Sequence, residues 1–351
     1  MPLPYQQPLP PKNTPTLGPV TPLTIGGGGL GLVWGKTTRE EAVLTLQRAV
    51  HHHGINLLDM APMYGRNREA EHTVGRAFQG NLPPGVQVLT KVYCGNRSAK
   101  DIPTKVRASL EKSLNAMRLT KVSILICHSN LVPDDWVAPT ATQDRHGTRW
   151  SAYVHGFIPV CQALVKEGKI DSWGITGVGQ PATIIRALHH HPRPAVVEVI
   201  SNGGDYVGEL KLFRGDARCR EIIQVAQAHQ VTVLGIRAVG AGSLCDVIDR
   251  VLAPDHPVLV QWQQAQRFRG IAKENGMSAA CLAHRYAVGM EGVHSVVLGV
   301  KNRQELDECC AAAKEGALGV QLQRDIEAAL RTAGTGTTVV QRKLLGPLAK
   351  L

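Results

Sequence analysis

Four side chains that suit proton transfer follow apolar segments in the first half of the chain: Asp59, Tyr64, Lys91 and His128. Asp59 ends the apolar segment INLLD, and Tyr64 stands five residues further on. Lys91 lies near the end of VQVLTKVY, and His128 near the end of VSILICHS. An acid that ends an apolar strand is costly to bury unless a basic group pairs with it, so Lys91 is the expected partner of Asp59.

These residue types together favour general acid–base chemistry on a carbonyl or an alcohol. A lysine ammonium close to a tyrosine hydroxyl favours the phenolate, so we expect Lys91 to lower the pKa of Tyr64 and Asp59 to hold the lysine in place. His128 would orient a carbonyl oxygen or relay the proton. Taken singly, a lysine–aspartate pair or a strand-end histidine is more often structural, and it is their joint occurrence that favours catalysis.

Strand-like apolar runs alternate with segments of helical period from Pro22 onward. The predicted strands lie at 22–31, 55–60, 86–93, 122–129, 170–177, 195–201, 231–238 and 293–300, and the predicted helices near 38–54, 69–79, 103–118, 153–167, 181–190, 217–229 and 258–290. Eight buried strands with helical crossovers imply a parallel sheet covered on both faces, which closes as a (β/α)8 TIM barrel in a single domain. The carboxyl ends of its strands would gather the four residues at one rim.

The barrel is expected to span residues 22–333, with an extended Pro-rich arm at 1–21 and a C-terminal tail at 334–351. No segment offers the roughly 18 uninterrupted apolar residues of a membrane helix. The eight cysteines lack paired spacing, which favours buried thiols in a reducing cytoplasm. Nothing in these patterns indicates an oligomeric state.

The net charge of +11 is compatible with a nucleic acid, an anionic lipid or a phosphate-bearing ligand. The basic residues are dispersed and not interleaved with aromatics, so no nucleic acid is expected and a phosphate-rich cofactor fits better. Two histidine triplets, 51–53 and 189–191, fall at predicted helix ends. Successive helical positions diverge by about 100°, so we expect surface capping residues there and no metal site.

The segment GINLLDMAPMYGRNREAEHTVGRA carries the strongest resemblance to a known family, supported by VLTKV, RASLEKSLNAMRLTKVSILICH, LVKEGKIDSWGITG and SVVLGVKNRQELDE. Over roughly Pro22 to Ala313 the chain is similar to the aldo-keto reductase family. GGGGLGLVWG and GITG resemble most closely its branch of L-galactose dehydrogenase and D-threo-aldose dehydrogenase.

The resemblance implies a nicotinamide-dependent oxidoreductase that interconverts an aldehyde, ketone or aldose and the alcohol or lactone by hydride transfer. Within it Tyr64 is the acid, Lys91 and Asp59 tune the tyrosine, and His128 orients the substrate. The alternative is a redox-inert, nucleotide-binding regulatory subunit on the same barrel. Trp34 is expected either to serve only in packing or to form a flat wall of the substrate pocket. The long segment 129–156 is expected to act as a lid that shapes substrate choice.

The implied cofactor contacts are Gly26, Gly27, Thr176, Gly177, Glu198, Arg237, Gly299, Lys301, Arg303, Glu305 and Glu308. Glu198 stands where many members carry a glutamine against the nicotinamide amide. Lys301 suits the 2′-phosphate of NADP, whereas Glu305 suits the free ribose hydroxyls of NAD, so NADP is expected with NAD possible. The glycines 26–31 also match GxGxxG, but no helix is predicted before Thr38, which disfavours a Rossmann turn.

Overall fold

A computed structural model of the chain describes residues 8–210 and 215–334. Eight parallel strands close into a barrel in chain order. They are β1 Leu23–Gly26, β2 Leu57–Asp59, β3 Gln87–Val92, β4 Val122–Cys127, β5 Ile170–Thr176, β6 Val196–Ile200, β7 Thr232–Ile236 and β8 Ser295–Leu298. The predicted (β/α)8 barrel is therefore confirmed.

Helices follow the strands and cover the outside of the barrel. The longer helices of the described residues are α1 Arg39–His51, α2 Glu69–Phe78, α3 Ile102–Met117, α4 Ile158–Lys166, α5 Pro181–His189, α6 Cys219–Ala228, α7 Pro257–Gln264, α8 Gln266–Glu274, α9 Ala279–Val288, α10 Arg303–Lys314 and α11 Val320–Gly334. Thr38 caps α1 by accepting a hydrogen bond from the Glu41 amide. None of the described helices is long and apolar enough to cross a bilayer.

Three local features differ from the sequence-based expectations. A single helical turn, Gly27–Leu30, follows β1 directly, where the sequence pattern predicts that the first strand continues to residue 31. The predicted helical region 258–290 divides into the three helices α7, α8 and α9. The segment 129–156 also carries regular structure, because Asn130–Val132 pairs in parallel with Gly147–Arg149 around a short helix, Ala141–His146.

An N-terminal hairpin takes the place of the expected extended arm over its described residues. Lys12–Thr14 pairs antiparallel with Gly18–Val20. The Thr16 hydroxyl donates to the Ala195 carbonyl oxygen at 2.7 Å, and other hairpin carbonyls accept from Asn56 at 2.8 Å and from Gln87 at 2.9 Å. These partners precede or begin barrel strands, so the hairpin covers the amino-terminal end of the barrel. Residues 1–7 and the predicted tail beyond Gly334 lie outside the described residues.

The interior of the barrel changes from apolar to charged along its axis. The lower layer is a buried cluster of Val20, Leu57, Leu89, Ile124, Ile126, Val196 and Leu234. Successive side chains of a strand point to opposite faces, so the residue two positions beyond an interior residue also points inward. Two positions beyond Leu57, Leu89 and Val196 stand Asp59, Lys91 and Glu198. The strand period therefore places two acids and a lysine in the layer above.

Among residues 8–210 and 215–334, the two histidine triplets included, no group of three or more His, Cys, Asp or Glu side chains is arranged to hold a metal ion. The expectation of surface capping is wrong for His53. Its side chain is buried, and its Nε2 lies 2.7 Å from Asp307 Oδ1, which also pairs with Arg48. All eight cysteines are unpaired.

Candidate active site

Three charged side chains meet inside the mouth of the barrel. The Lys91 ammonium lies 2.6 Å from Asp59 Oδ1 and also contacts a carboxylate oxygen of Glu198. The other Glu198 oxygen accepts from the Thr176 hydroxyl at 2.9 Å. Asp59, Lys91 and Glu198 are each 1% exposed. The structure thus contains the expected pair between Asp59 and Lys91, and it adds a second carboxylate to the same ammonium.

Burial and mutual charge set the protonation of this cluster. Burial, together with the charge and hydrogen bond of Glu198, raises the pKa of Asp59 to about 8 although Lys91 opposes the rise. Burial acts to raise the pKa of Glu198 as well, but Lys91, His128 and the hydrogen bond with Asp59 bring it below its usual value. At neutral pH the Asp59–Glu198 pair therefore holds one proton, and its remaining negative charge is balanced by Lys91.

Tyr64 and His128 lie beside this cluster at the same rim. The two rings meet edge to face with centroids 5.9 Å apart. The Lys91 ammonium lies 5.8 Å from the centroid of the Tyr64 ring. The four residues singled out for proton transfer therefore converge at the carboxyl ends of β2, β3 and β4. The carboxyl end of a barrel strand is the usual place for catalytic side chains.

Lys91 acts to lower the pKa of Tyr64, as expected, but the net pKa of Tyr64 is raised. Burial raises the Tyr64 pKa, and the charges of Asp59 and Glu198 add to the effect. Tyr64 is therefore protonated at neutral pH.

His128 is neutral at physiological pH. Burial lowers its pKa to about 4, and the neighbouring Lys91 charge lowers it further against an opposing effect of Glu198. Its Nδ1 is buried and has no hydrogen-bond partner among the described residues. A neutral imidazole carries one N–H donor and one acceptor nitrogen, so His128 suits the orientation of a polar oxygen.

The glycine-rich turn after β1 positions the tyrosine. A Cβ on Gly31 would meet the Tyr64 carbonyl oxygen, and a Cβ on Gly27 would lie 3.1 Å from the Tyr64 ring. A Cβ on Gly26 would meet the Leu298 carbonyl oxygen of β8. These positions require glycine because backbone and ring approach closely. The expected cofactor contacts of Gly26 and Gly27 stay predictions.

Thr176 and Gly177, at the end of β5, both contact Glu198 of β6. The Thr176 hydroxyl binds its carboxylate, and the Gly177 amide donates to its carbonyl oxygen at 2.6 Å. Glu198 is therefore committed to the ion cluster, which differs from the amide contact that the resemblance suggests. At the end of β7, Arg237 has a left-handed backbone (φ 56°), and its carbonyl accepts from Asn202 at 3.0 Å.

The residues that follow β8 form a second charged group. The Lys301 ammonium lies 2.8 Å from Asp249 and 2.7 Å from Glu305. Arg303 pairs with Glu41 of α1 at 2.9 Å. Both acids around Lys301 would therefore compete with an incoming phosphate for the lysine ammonium. Arg303 is held by its ion pair with another helix.

Glu308 and Trp34 complete the predicted set. Glu308 is exposed on α10 and accepts from Gln304 at 3.1 Å. Trp34 is half-buried beside Gly299, and the guanidinium carbon of Arg250 lies 5.3 Å from the centre of its ring. One face of the indole is therefore covered, and its role as a substrate wall stays a prediction.

Three contacts of charged side chains are not predicted from the sequence: the pairing of Glu198 with Lys91, that of Asp249 with Lys301, and the stacking of Arg250 on Trp34. The first had a usable signal, because Glu198 interrupts the apolar run AVVEVIS just as Asp59 ends its own. The other two come from the long connection after β7, where no periodicity indicates which side chains turn inward.

Comparisons with known proteins agree with the geometry. The Aldo/keto reductase family model matches residues 22–329. L-galactose dehydrogenase of Arabidopsis thaliana is 25% identical over 298 residues, or 84% of this chain and 85% of that protein. Among solved structures, glycerol dehydrogenase from Gluconobacter oxydans has a TM-score of 0.66 at 19% identity, covering 96% of this chain and 99% of that one. Aldo-keto reductase from Klebsiella pneumoniae in complex with NADPH has a TM-score of 0.60 at 18% identity, covering 90% and 95%. The chain belongs to the aldo/keto reductase family.

Proposed function

We propose that this protein is an NAD(P)-dependent oxidoreductase that interconverts a carbonyl compound and its alcohol or lactone, with Tyr64 as the general acid and base. The observation that carries the proposal is the convergence of Tyr64, Lys91, Asp59 and His128 at one mouth of the barrel. A buried ion cluster beside a tyrosine is costly to desolvate, which favours an enzyme over a redox-inert regulatory subunit.

The protonation states suit the transfer of a proton to the substrate oxygen during carbonyl reduction. Tyr64 keeps its proton until a substrate oxygen accepts it, because burial and the two nearby carboxyl groups hold its pKa high. Lys91 opposes this and thereby stabilises the phenolate that forms as the proton leaves. Neutral His128 is placed to bind the same oxygen and fix its orientation. In the reverse direction the phenolate takes the proton of the alcohol.

The strand ends beside the catalytic group fit a nicotinamide dinucleotide. Residues expected to hold it lie at the carboxyl ends of the neighbouring strands: Thr176 and Gly177 at β5, Arg237 after β7, and Gly299 and Lys301 after β8. This half of the rim offers basic side chains for phosphate groups, and it adjoins the half that carries Tyr64. When bound there, the cofactor supplies or accepts the hydride. We propose NADP as the cofactor, with NAD possible, because Lys301 can meet a 2′-phosphate if Asp249 and Glu305 release it.

We further propose a hydroxylated substrate such as an aldose, in a cytoplasmic setting. L-galactose dehydrogenase, the similar plant protein, is named for a sugar. At the mouth, the Tyr93 hydroxyl contacts His146 Nδ1 at 2.9 Å and donates to the Arg145 carbonyl at 2.5 Å, so polar groups of the segment 129–156 stand next to β3. The unpaired cysteines support a reducing compartment.

The test is Tyr64→Phe, assayed by nicotinamide absorbance with a panel of aldehydes and aldoses. Turnover should fall at least ~10²-fold, the usual contribution of a positioned general acid, while cofactor affinity stays nearly unchanged. Tyr286→Phe is the matched control, because that hydroxyl binds Glu327 on the outside of the barrel and its loss should leave turnover intact. Full turnover in Tyr64→Phe would remove Tyr64 from the mechanism.

A further inference from the structure

Glu198 gives the interior cluster one carboxyl group more than its single ammonium can balance. We propose that this second carboxylate makes the site distinguish the two charge states of its cofactor. The oxidised, cationic nicotinamide binds with release of a proton from the Asp59–Glu198 pair, and the reduced, neutral nicotinamide binds without it. The inference rests on the proposed function, since it concerns the same site.

The geometry of the cluster requires the charges of its carboxyl groups and its ammonium to balance. Both carboxyl groups contact the same Lys91 ammonium, and all three side chains are 1% exposed. Two carboxylates and one ammonium would leave a buried net negative charge, which is costly without a counterion. The site can relieve that charge in two ways, by holding a proton or by receiving a cation. The Lys91 ammonium balances one carboxylate, and a proton shared by the Asp59–Glu198 pair neutralises the other.

Among the titratable groups around Glu198, only the carboxyl pair titrates near neutral pH. The titratable groups that face Glu198 are Asp59 from β2, Tyr64 from the loop after it, Lys91 from β3 and His128 from the end of β4. β5 contributes the uncharged Thr176. Tyr64 has a raised pKa and stays neutral, His128 has a pKa of about 4 and stays neutral, and Lys91 has a raised pKa and stays cationic.

Hydride transfer brings the nicotinamide ring to the carbon whose oxygen Tyr64 protonates, so the ring enters this mouth of the barrel. The oxidised ring is a cation and the reduced ring is neutral. A unit charge brought close to a buried carboxyl pair shifts its protonation equilibrium by roughly 10- to 100-fold at the effective dielectric of protein sites. The cation therefore lowers the pKa of Asp59, and the neutral ring does not.

The sign of the pH dependence follows. The pKa of Asp59 is about 8 in the free protein. Below that pH the oxidised cofactor must expel a proton in order to bind, so its affinity rises as the pH rises and levels off above about 8. The affinity of the reduced cofactor has no such dependence in this window. The site consequently favours the oxidised cofactor, and with it alcohol oxidation, increasingly toward alkaline pH.

The measurement is a set of dissociation constants for oxidised and reduced cofactor, by fluorescence quenching and calorimetry, between pH 6 and pH 8.5. The ratio of the reduced to the oxidised dissociation constant should rise at least ~10-fold over this range. Use of the ratio cancels any titration of the 2′-phosphate, which both forms of NADP carry. Calorimetry at pH 7 in buffers of different ionisation heat should show release of up to one proton with the oxidised form and none with the reduced form.

Either carboxyl group alone would be neutralised by Lys91, so Glu198→Gln and Asp59→Asn should each abolish the pH dependence of the ratio. Glu71→Gln is the matched control. It is also fully buried, but it pairs with Arg68 and Thr90, so it should leave the dependence intact.

The outcomes separate the two proposals. A parent protein that binds neither form of the cofactor overturns the proposed function. Binding of both forms with a pH-independent ratio, or an unchanged pH dependence in Glu198→Gln, overturns the charge inference and leaves the function standing. If Glu198→Gln does not fold, Asp59→Asn and the proton release of the parent decide.

Discussion

Lys91→Met removes the ammonium from between two buried carboxyl groups and keeps a flexible side chain of similar length. Lys91 is 1% exposed and contacts Asp59 and Glu198 directly. Removal of one partner of a buried ion pair commonly costs 3–5 kcal/mol, about the range we expect for the loss in unfolding free energy at pH 7. Activity should be lost as well, because the phenolate of Tyr64 loses its stabilising charge.

The pH dependence of that loss is the sharper part of the prediction. At neutral pH the parent holds one proton on its carboxyl pair, whereas the variant must hold two, since no cation remains to balance Glu198. A carboxyl group whose pKa is raised on folding contributes full stability below its unfolded pKa and loses it as the pH rises. One additional proton bound by the folded variant changes the difference in unfolding free energy between parent and variant by about 1.4 kcal/mol per pH unit. From pH 7 to pH 5 the variant should therefore recover about 3 kcal/mol relative to the parent, most of its deficit.

The assay is urea denaturation of both proteins at pH 5, 6, 7 and 8. Lys121→Met serves as the control, because that lysine is 56% exposed and its pair with Asp171 should contribute less than about 1 kcal/mol at any of these pH values. A deficit of Lys91→Met below about 1 kcal/mol at pH 7, or one that is constant between pH 5 and pH 8, would refute the shared-ammonium description of the site.

Two further predictions concern the rim. Lys301→Ala should weaken NADPH binding by about 1.5–3 kcal/mol and leave NADH nearly unaffected, whereas Asp249→Asn should tighten NADPH by removing a competitor for the ammonium. Fluorescence titration measures both, and equal losses for the two nucleotides would contradict the phosphate assignment. Gly31→Ala should cost about 1–3 kcal/mol and lower turnover, because a methyl group there displaces the Tyr64 carbonyl. Gly319→Ala, which meets nothing within 4 Å, should change neither thermal stability nor turnover measurably, and equal effects of the two alanines would contradict the packing argument.

The sequence predicted the barrel and the meeting of Asp59, Lys91 and His128 for one reason. Strands buried on both faces read as continuous apolar runs, and polar residues at their ends must then share one rim. Side-chain alternation also extends to Glu198, because it stands two positions beyond the interior residue Val196. The strand pattern therefore predicts that the second carboxylate points into the barrel, but it does not predict which group that carboxylate contacts.

Other features depend on distances that no pattern along the chain encodes. The direction of the Tyr64 pKa shift is the balance of burial and two carboxyl groups against one ammonium. Its sign changes with separations of a few ångströms, which a sequence does not give. The N-terminal hairpin has two strands of only three residues each, KNT and GPV, and Thr16 binds Ala195 at a sequence separation of 179 residues. Propensity favours an extended arm there, and only the barrel end provides the missing hydrogen-bond partners.

The closed lower end of the barrel also sets the route by which protons travel. Beneath Lys91 lie the apolar layer with Leu57 and Leu89 and then the hairpin, so the described residues place an apolar layer between the ion cluster and that end of the barrel. A proton that reaches or leaves Asp59 is therefore expected to cross the other mouth, which is also the entrance for the proposed ligands. A bound ligand would therefore block proton exchange between the ion cluster and solvent. The number of protons that the ion cluster holds when the ligand binds would stay constant until the ligand leaves or until Tyr64 transfers a proton between the cluster and the ligand.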